Sequence, residues 1–201
     1  MSEHSEPLLV ISPAEPVSGA PAPENQGKPS PVGRALRNWA RDLTISLVIA
    51  AFFIVFLYQP VKVEGTSMAP SLVDQERIFV NKFVYRFESI GRGDVVVFHY
   101  PRDTSKSYIK RVIGVPGDRI RIEDGQVFVN DEALPEPYVR LEHEDFRSYP
   151  EFVVPVHSYF VLGDRRNLSN DSRDFGPVDE DYIYGKAVFV YWPVDKLGKL
   201  R

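Results

Sequence analysis

Sixteen consecutive residues without a charge, residues 43–58 (LTISLVIAAFFIVFLY), restrict this chain more than any other feature. As a helix they reach roughly 24 Å, somewhat short of the ~30 Å hydrocarbon core of a bilayer. Trp39 and Tyr58 stand near the ends, where interfacial aromatics belong, and Arg41 can snorkel outward to lengthen the span. Apolar side chains on all sides and abrupt polar flanks favour a membrane span over a buried core helix. Arg34, Arg37 and Arg41 precede the run, opposed only by Asp42. By the positive-inside rule, that excess places the N-terminal side in the cytoplasm and everything after Pro60 outside. A cleaved secretory signal is the rival reading. The late start, the long apolar run and the lack of a clear A-x-A site downstream speak for an uncleaved anchor.

The segments on either side differ sharply. Residues 1–33 are rich in Pro, Ser, Ala, Glu and Gly and lack periodicity. They bury too little apolar surface to offset their ordering entropy, so a disordered cytoplasmic tail is expected there. Residues 34–60 form the basic flank and transmembrane anchor. From residue 61 to 201 the pattern is all-β: ERIFVNKFVY, GDVVVFHY, YIKRVIGV, DRIRI, QVFVN and KAVFVYW are short runs rich in Val, Ile, Phe and Tyr. Turn chemistry separates them, and DRIRIEDGQVFVN is the clearest hairpin, turning at Asp124-Gly125. The expected fold is mainly β: a single N-terminal transmembrane helix followed by one antiparallel β-rich catalytic domain.

Composition removes several chemistries. There are no cysteines, which excludes disulfides, zinc-thiolate sites and a cysteine nucleophile. The four histidines, at 4, 99, 143 and 157, show no metal-ligand spacing, so no metal and no cofactor is expected. A net charge of −4 without a long basic run argues against nucleic acid as a partner. No G-x-S-x-G elbow is present, which leaves the α/β-hydrolase triad without a foothold.

Three constellations remain. The first is GTSMAPSL, residues 65–72, directly after the anchor. Gly65 permits backbone conformations closed to other residues, and Pro70 fixes its own φ and restricts Ala69. Ser67 between them is held in a defined, exposed loop, yet a serine without a base is a poor nucleophile. An ordinary turn serine is the bland alternative. The second is Lys110 in SYIKRVIGVPGD. Strand alternation puts Tyr108, Lys110 and Val112 on one face, with Ile109, Arg111 and Ile113 on the other. A solvated strand lysine would be neutral in only about one molecule in 2,500 at pH 7. Desolvation favours the neutral amine and brings the pKa to ~7–8, the range of a general base. A catalytic Lys110 must therefore be buried with no carboxylate touching it. The third is LGDRRNLSNDSRDFGPV, residues 162–178, which by itself reads equally well as a capped surface loop.

Taken in order, VEGTSMAPSL, GRGDVVVF, YIKRVIGVPGD and GDRRNLSNDSR resemble the signature boxes of type I signal peptidases, over roughly residues 35 to 195. The resemblance implies Ser67 as nucleophile and Lys110 as general base, with Ser169 as the serine whose hydroxyl orients the lysine amine. It implies site-shaping ionic roles for Arg111, Asp164, Asp171 and Arg173, and a place for Met68 in the substrate cleft. The oxyanion donors would be the Ser67 backbone N–H and, because Gly65 replaces a serine found in some members, a further backbone N–H or the Thr66 hydroxyl. Arg165 and Leu168 stand where asparagines are frequent, and Ser71 replaces the usual threonine. The implied activity is removal of signal peptides from exported preproteins, cutting after small residues in an A-x-A-like pattern. The implied partners are preprotein signal peptides and the lipid bilayer. The implied location is the bacterial cell membrane, single-pass, with the N-terminus cytoplasmic and the catalytic domain on the outer face.

Self-cleaving stress-response repressors also pair Ser with Lys in a β domain, but they are cytosolic and carry a DNA-binding module. A conjugation or pilus-processing peptidase of the same superfamily is a nearer alternative. A tethered binding domain with vestigial boxes is the alternative from another class. Intact Ser67, Lys110 and Ser169 weigh against it.

Overall fold

The computed structural model describes residues 31–200. The expected tail over residues 1–33 lies almost wholly outside the described residues. Two units are distinguished, divided between Ile45 and Ser46. A helix, α1 (Pro31–Leu57), runs through that division. In the first unit Pro31 sits at the helix start, where its missing N–H costs nothing. Exposed Arg41 there pairs with Asp42 at 3.0 Å. Further along α1, Leu47, Val48, Ile49, Phe52 and Phe56 are exposed apolar side chains. Among the described residues no helix is long and apolar enough to cross a membrane. The expected anchor includes residues 53–55, whose side chains lie outside the described ones.

The helix ends one residue before the apolar run does, because Tyr58 opens β1 (Tyr58–Lys62). Pro60 disfavours the α conformation at Gln59 and has no N–H to continue the helix. It is tolerated in β1 because that strand lies at the sheet edge, paired only with β2 (Arg77–Asn81).

The remaining strands are β3 (Val95–Tyr100), β4 (Asp103–Gly114), β5 (Arg119–Glu123), β6 (Gln126–Val129), β7 (Glu132–Ala133), β8 (Tyr149–Val153), β9 (Ser158–Leu162), β10 (Val178–Asp179), β11 (Ile183–Trp192) and β12 (Gly198–Lys199). A four-residue helix, α2 (Ser172–Phe175), interrupts them. An eight-stranded sheet runs in the order β1-β2-β11-β3-β4-β9-β10, with β12 alongside β11. A second, four-stranded sheet runs β7-β6-β5-β8. Every pairing in both sheets is antiparallel, in agreement with the mainly β expectation.

Sequence pattern explains where the core lies. Val95, Val96, Val97 and Phe98 of β3 are all buried, as befits a central strand covered on both faces. Their alternation feeds two apolar clusters. Val95 and Val97 join Met68, Leu72, Ile78 and Val80, while Val96 and Phe98 join Val112, Val161 and Tyr159. The β5–β6 hairpin turns at Asp124-Gly125, both at positive φ, which suits the two-residue turn that the Asp-Gly pair signals. Its Ile120, Ile122, Val127 and Val129 form a third cluster with Ile113, Phe160 and Leu162. The long strand β4 bridges the sheet, pairing with β3 over residues 103–111 and with β9 only from Arg111 onward. Its edge before Arg111 is therefore open on one side.

Candidate active site

Ser67 lies in the turn between β1 and β2. Gly65 stands at φ +93°, a conformation that side-chain-bearing residues rarely adopt, and its N–H donates to Asp74 Oδ1 at 2.8 Å. The Ala69 N–H then donates to Thr66 O at 3.1 Å, and the Leu72 N–H to Met68 O at 2.8 Å. Met68, Ala69 and Leu72 are buried, Thr66 is exposed and Ser67 is half-buried. Burial of Met68 and Leu72 contributes about 1.5–3 kcal/mol each, so the turn is fastened from below and Ser67 is presented at its rim. Among the described residues the Ser67 N–H has no hydrogen-bond partner.

Opposite stands Lys110 of β4. Its Nζ lies 2.7 Å from Ser67 Oγ, although the two are forty-three positions apart in sequence. Lys110 is 4% exposed, and no Asp or Glu among the described residues forms an ion pair with it. Burial pushes the amine down to about 8; Asp171 and Asp164 pull it back up from a distance, and Arg173 pushes it down. The Tyr108 ring centroid lies 5.3 Å from the amine, as their shared face of the strand predicts. A lysine with these surroundings can take a proton from a serine hydroxyl near neutral pH.

The third constellation forms the floor behind this pair. Gly163 packs so closely that an added Cβ would lie 2.5 Å from Ser67 O and 2.2 Å from Ser169 Oγ, so no larger residue fits. The Arg165 N–H donates to Ser67 O at 3.0 Å, tying the two loops together. Asp164 grips Arg111 through two hydrogen bonds, Nε to Oδ1 at 2.9 Å and Nη2 to Oδ2 at 2.7 Å. Arg111 also donates to Gly93 O at 3.0 Å and to Ser71 Oγ at 3.3 Å. Asp171 caps α2 in a capping box with Asp174, accepts from the Gly163 N–H at 3.1 Å, and binds Arg173 through Nε and Nη2, both at 2.8 Å. Burial alone would raise the Asp171 carboxyl, but hydrogen bonds and charge from Arg173 win and hold it below the ordinary carboxylate range. Ser169 is buried, and its Oγ has no hydrogen-bond partner, though it lies near enough to Asp171 to favour the ionised carboxylate. The hydrogen bond from Ser169 to the lysine amine that the resemblance implies is not formed here. Lys110 bonds to Ser67 instead.

A cleft of about 640 Å³ opens in front of the pair. Val61, Val63 and Glu64 line one side, Lys106, Tyr108 and Ile109 the other, with Thr66, Ser67, Met68 and Lys110 at its base. Met68 thus reaches the cleft while lying mostly in the core. Arg111, Asp164, Ser169, Asp171 and Arg173 do not line the cleft; they sit behind it. Among the described residues no cluster of His, Cys, Asp or Glu could hold a metal ion.

Residues 36–192 match the family model described as signal peptidase, peptidase S26. The chain belongs to the signal peptidase S26 family. It is 34% identical over 176 residues to a signal peptidase I P of Bacillus subtilis subsp. natto, covering 83% of this chain and 94% of that one. It is 36% identical to a signal peptidase IB of Staphylococcus aureus strain Mu50, covering 80% of this chain and 91% of that one. A crystal structure of a signal peptidase I from Enterococcus faecalis V583, 30% identical, overlaps 49% of this chain and 97% of its own with a TM-score of 0.44. The chain is accordingly a serine peptidase, a hydrolase of the signal-peptide-processing class.

Several buried groups of this peptidase carry no signal in the motifs. Arg166 donates to Glu136 Oε2 at 2.8 Å, makes a second bond to Glu136 Oε1, and donates through Nε to Gly163 O at 3.0 Å. Asp145 accepts from Arg173 at 2.7 Å. Arg166 at least lies inside the last box, where its charge stands out. Glu136 and Asp145 sit in an irregular segment with no motif, and only folding brings them to the loop.

Proposed function

We propose that this chain is a membrane-bound serine endopeptidase that removes signal peptides from exported preproteins, with Ser67 as nucleophile and Lys110 as general base. The observation that carries this reading is the 2.7 Å approach of Lys110 Nζ to Ser67 Oγ, made by an amine that burial holds near 8 and no carboxylate touches.

Neutral Lys110 accepts the Ser67 hydroxyl proton as the oxygen attacks the scissile carbonyl. The oxyanion is stabilised by the unpartnered Ser67 N–H and by the exposed Thr66 hydroxyl beside it. The lysine then passes its proton to the leaving amine, and water, activated by the same amine, releases the acyl-enzyme. Once Ser67 is acylated, Ser169, buried with an unpartnered hydroxyl, orients the amine. Asp164, Arg111, Asp171 and Arg173 fix the loop and strand and take no part in bond making. The substrate lies extended between residues 61–65 and the open edge of β4 at residues 106–109, adding a strand to it. The shallow apolar base formed by Met68, Val63 and Ile109 favours small side chains before the cut, in an A-x-A-like pattern. Residues 43–57 anchor the enzyme in the bacterial cell membrane in a single pass. Arg34, Arg37 and Arg41 stay on the cytoplasmic side and the β domain lies on the outer face.

The test compares cleavage of a purified preprotein by the wild type, Ser67→Ala and Lys110→Ala in detergent, with the new N-terminus mapped by mass spectrometry. The expected result is a wild-type cut after a small residue and a loss of at least about 1,000-fold in both variants. Wild-type cleavage by either folded variant would remove that residue from the mechanism.

A further inference from the structure

Glu136 reaches both halves of the proposed catalytic pair through buried partners. It lies after β7, in the segment that leaves the four-stranded sheet. Its side chain is 10% exposed and that of its partner Arg166 is 4% exposed. On one side, Glu136 holds Arg166 by two parallel hydrogen bonds, and Arg166 in turn donates to Gly163 O at 3.0 Å. Gly163 is the residue packed against Ser67 O, and the next N–H but one, that of Arg165, is hydrogen-bonded to the same carbonyl. On the other side, the Tyr138 hydroxyl donates to Glu136 Oε1 at 2.9 Å. The Tyr138 ring lies 4.1 Å beneath the guanidinium carbon of Arg111, the residue next to Lys110. The first path ends on the backbone of the nucleophile and the second on the strand of the base.

A buried ion pair is a weak source of net stability, because desolvation consumes most of the Coulombic gain. What such a pair supplies is geometry: a two-bond fork permits one separation and one orientation. We propose that Glu136 is a positioning residue that sets the Ser67–Lys110 separation by locking the loop behind Ser67 to the strand that carries Lys110. The proposal rests on the Ser67–Lys110 reading. Glu136 touches neither the cleft base nor a reacting atom, so its loss should slow turnover without weakening substrate binding.

The experiment measures kcat and KM for a purified preprotein, together with thermal melting, on the full chain in detergent. Five proteins are compared: wild type, Glu136→Gln, Tyr138→Phe, Asp118→Asn and Ser67→Ala. Asp118→Asn removes the charge of another largely buried partner, that of Arg92, and serves as the purely structural control. For Glu136→Gln, kcat should fall about 100-fold with KM within about 2-fold, as displacement of a reacting group by an ångström does. Tyr138→Phe, which keeps the ring under Arg111 and removes only the hydroxyl, should lose about 10-fold in kcat with a melting temperature near wild type. Asp118→Asn should melt earlier and turn over normally. Wild-type kcat in Tyr138→Phe and in folded Glu136→Gln overturns the proposal. An equal kcat loss in Asp118→Asn also overturns it, since general softening would then explain the effect. If Glu136→Gln does not fold, Tyr138→Phe alone decides. Wild-type cleavage by Ser67→Ala is a different failure, that of the catalytic pair itself, and takes this proposal down with it.

Discussion

The two faces of β4 treat buried positive charge in opposite ways at adjacent positions. Lys110 is 4% exposed and Arg111 2%. Arg111 receives a two-point grip from Asp164, two further acceptors and an aromatic ring beneath it. Lys110 receives one serine oxygen and no carboxylate. The first arrangement keeps a guanidinium charged in the interior, where an unpaired charge would cost several kcal/mol. The second leaves the amine poorly compensated, so that it surrenders its proton near neutral pH. Burial by itself therefore decides neither structure nor chemistry. The partner supplied to each charge does, and the side chains suit their posts: a fixed planar fork for the ion pair, a titratable amine for the base.

This contrast can be broken most sharply at Asp164. In Asp164→Ala the Arg111 charge stays buried without its main partner, and chemical denaturation should show a loss of about 3–5 kcal/mol. A loss under about 1 kcal/mol would mean that the remaining acceptors satisfy the guanidinium. The opposite sign is expected one residue away. Lys110→Met removes an amine that folding forces from 10.5 down to about 8, a cost of about 3 kcal/mol at pH 7. Subtracting about 1 kcal/mol for the hydrogen bond to Ser67 leaves a stabilisation of about 2 kcal/mol in a protein that has lost its activity. Because the folded state binds fewer protons, the cost of Lys110 is fully present below pH 8 and disappears as pH rises through 10.5. Melting curves of the wild type and Lys110→Met should accordingly converge over that window. Equal stability at pH 7 would show that the amine is better compensated than its surroundings imply.

Activity sharpens the same contrast. Cleavage requires the neutral amine, so kcat/KM should rise with pH through a limb centred near 8 and level off above it. A limb near 10 would show a solvated, charged Lys110. The smallest effect is expected from Asp171→Asn. Asp171 draws the Lys110 amine upward while Arg173 presses it down, so neutralising the carboxylate should move the limb to lower pH. A shift to higher pH would show that Asp171 acts chiefly by holding Arg173 against its loop.

Several of these elements are legible in the amino-acid sequence. The Asp124-Gly125 hairpin appears as expected, since a two-residue turn is a local property. Alternation places Tyr108 and Lys110 on one face of β4, and the ring-to-amine contact bears that out. The requirement that Lys110 be buried and free of a touching carboxylate follows from acid–base chemistry alone, and the packing meets it. The end of α1 differs by one residue, because the apolar run continues to Tyr58 while Pro60 has already committed that stretch to β1. The Ser169 hydrogen bond to the amine is implied by the family resemblance, and here the amine faces Ser67 instead.

By itself the sequence determined the family, the order of its boxes, the β-rich domain and the two residues, Ser67 and Lys110, that the chemistry needs. Those are properties of residue type and short spacing, which survive without coordinates. Only the tertiary structure decided that Lys110, forty-three positions on, returns to 2.7 Å from Ser67, and that Glu136 closes on Arg166 across thirty. Such distances depend on how strands pair and loops pack over the whole domain. Desolvation, the force that sets Lys110 apart from a solvated lysine, exists only once that packing is complete.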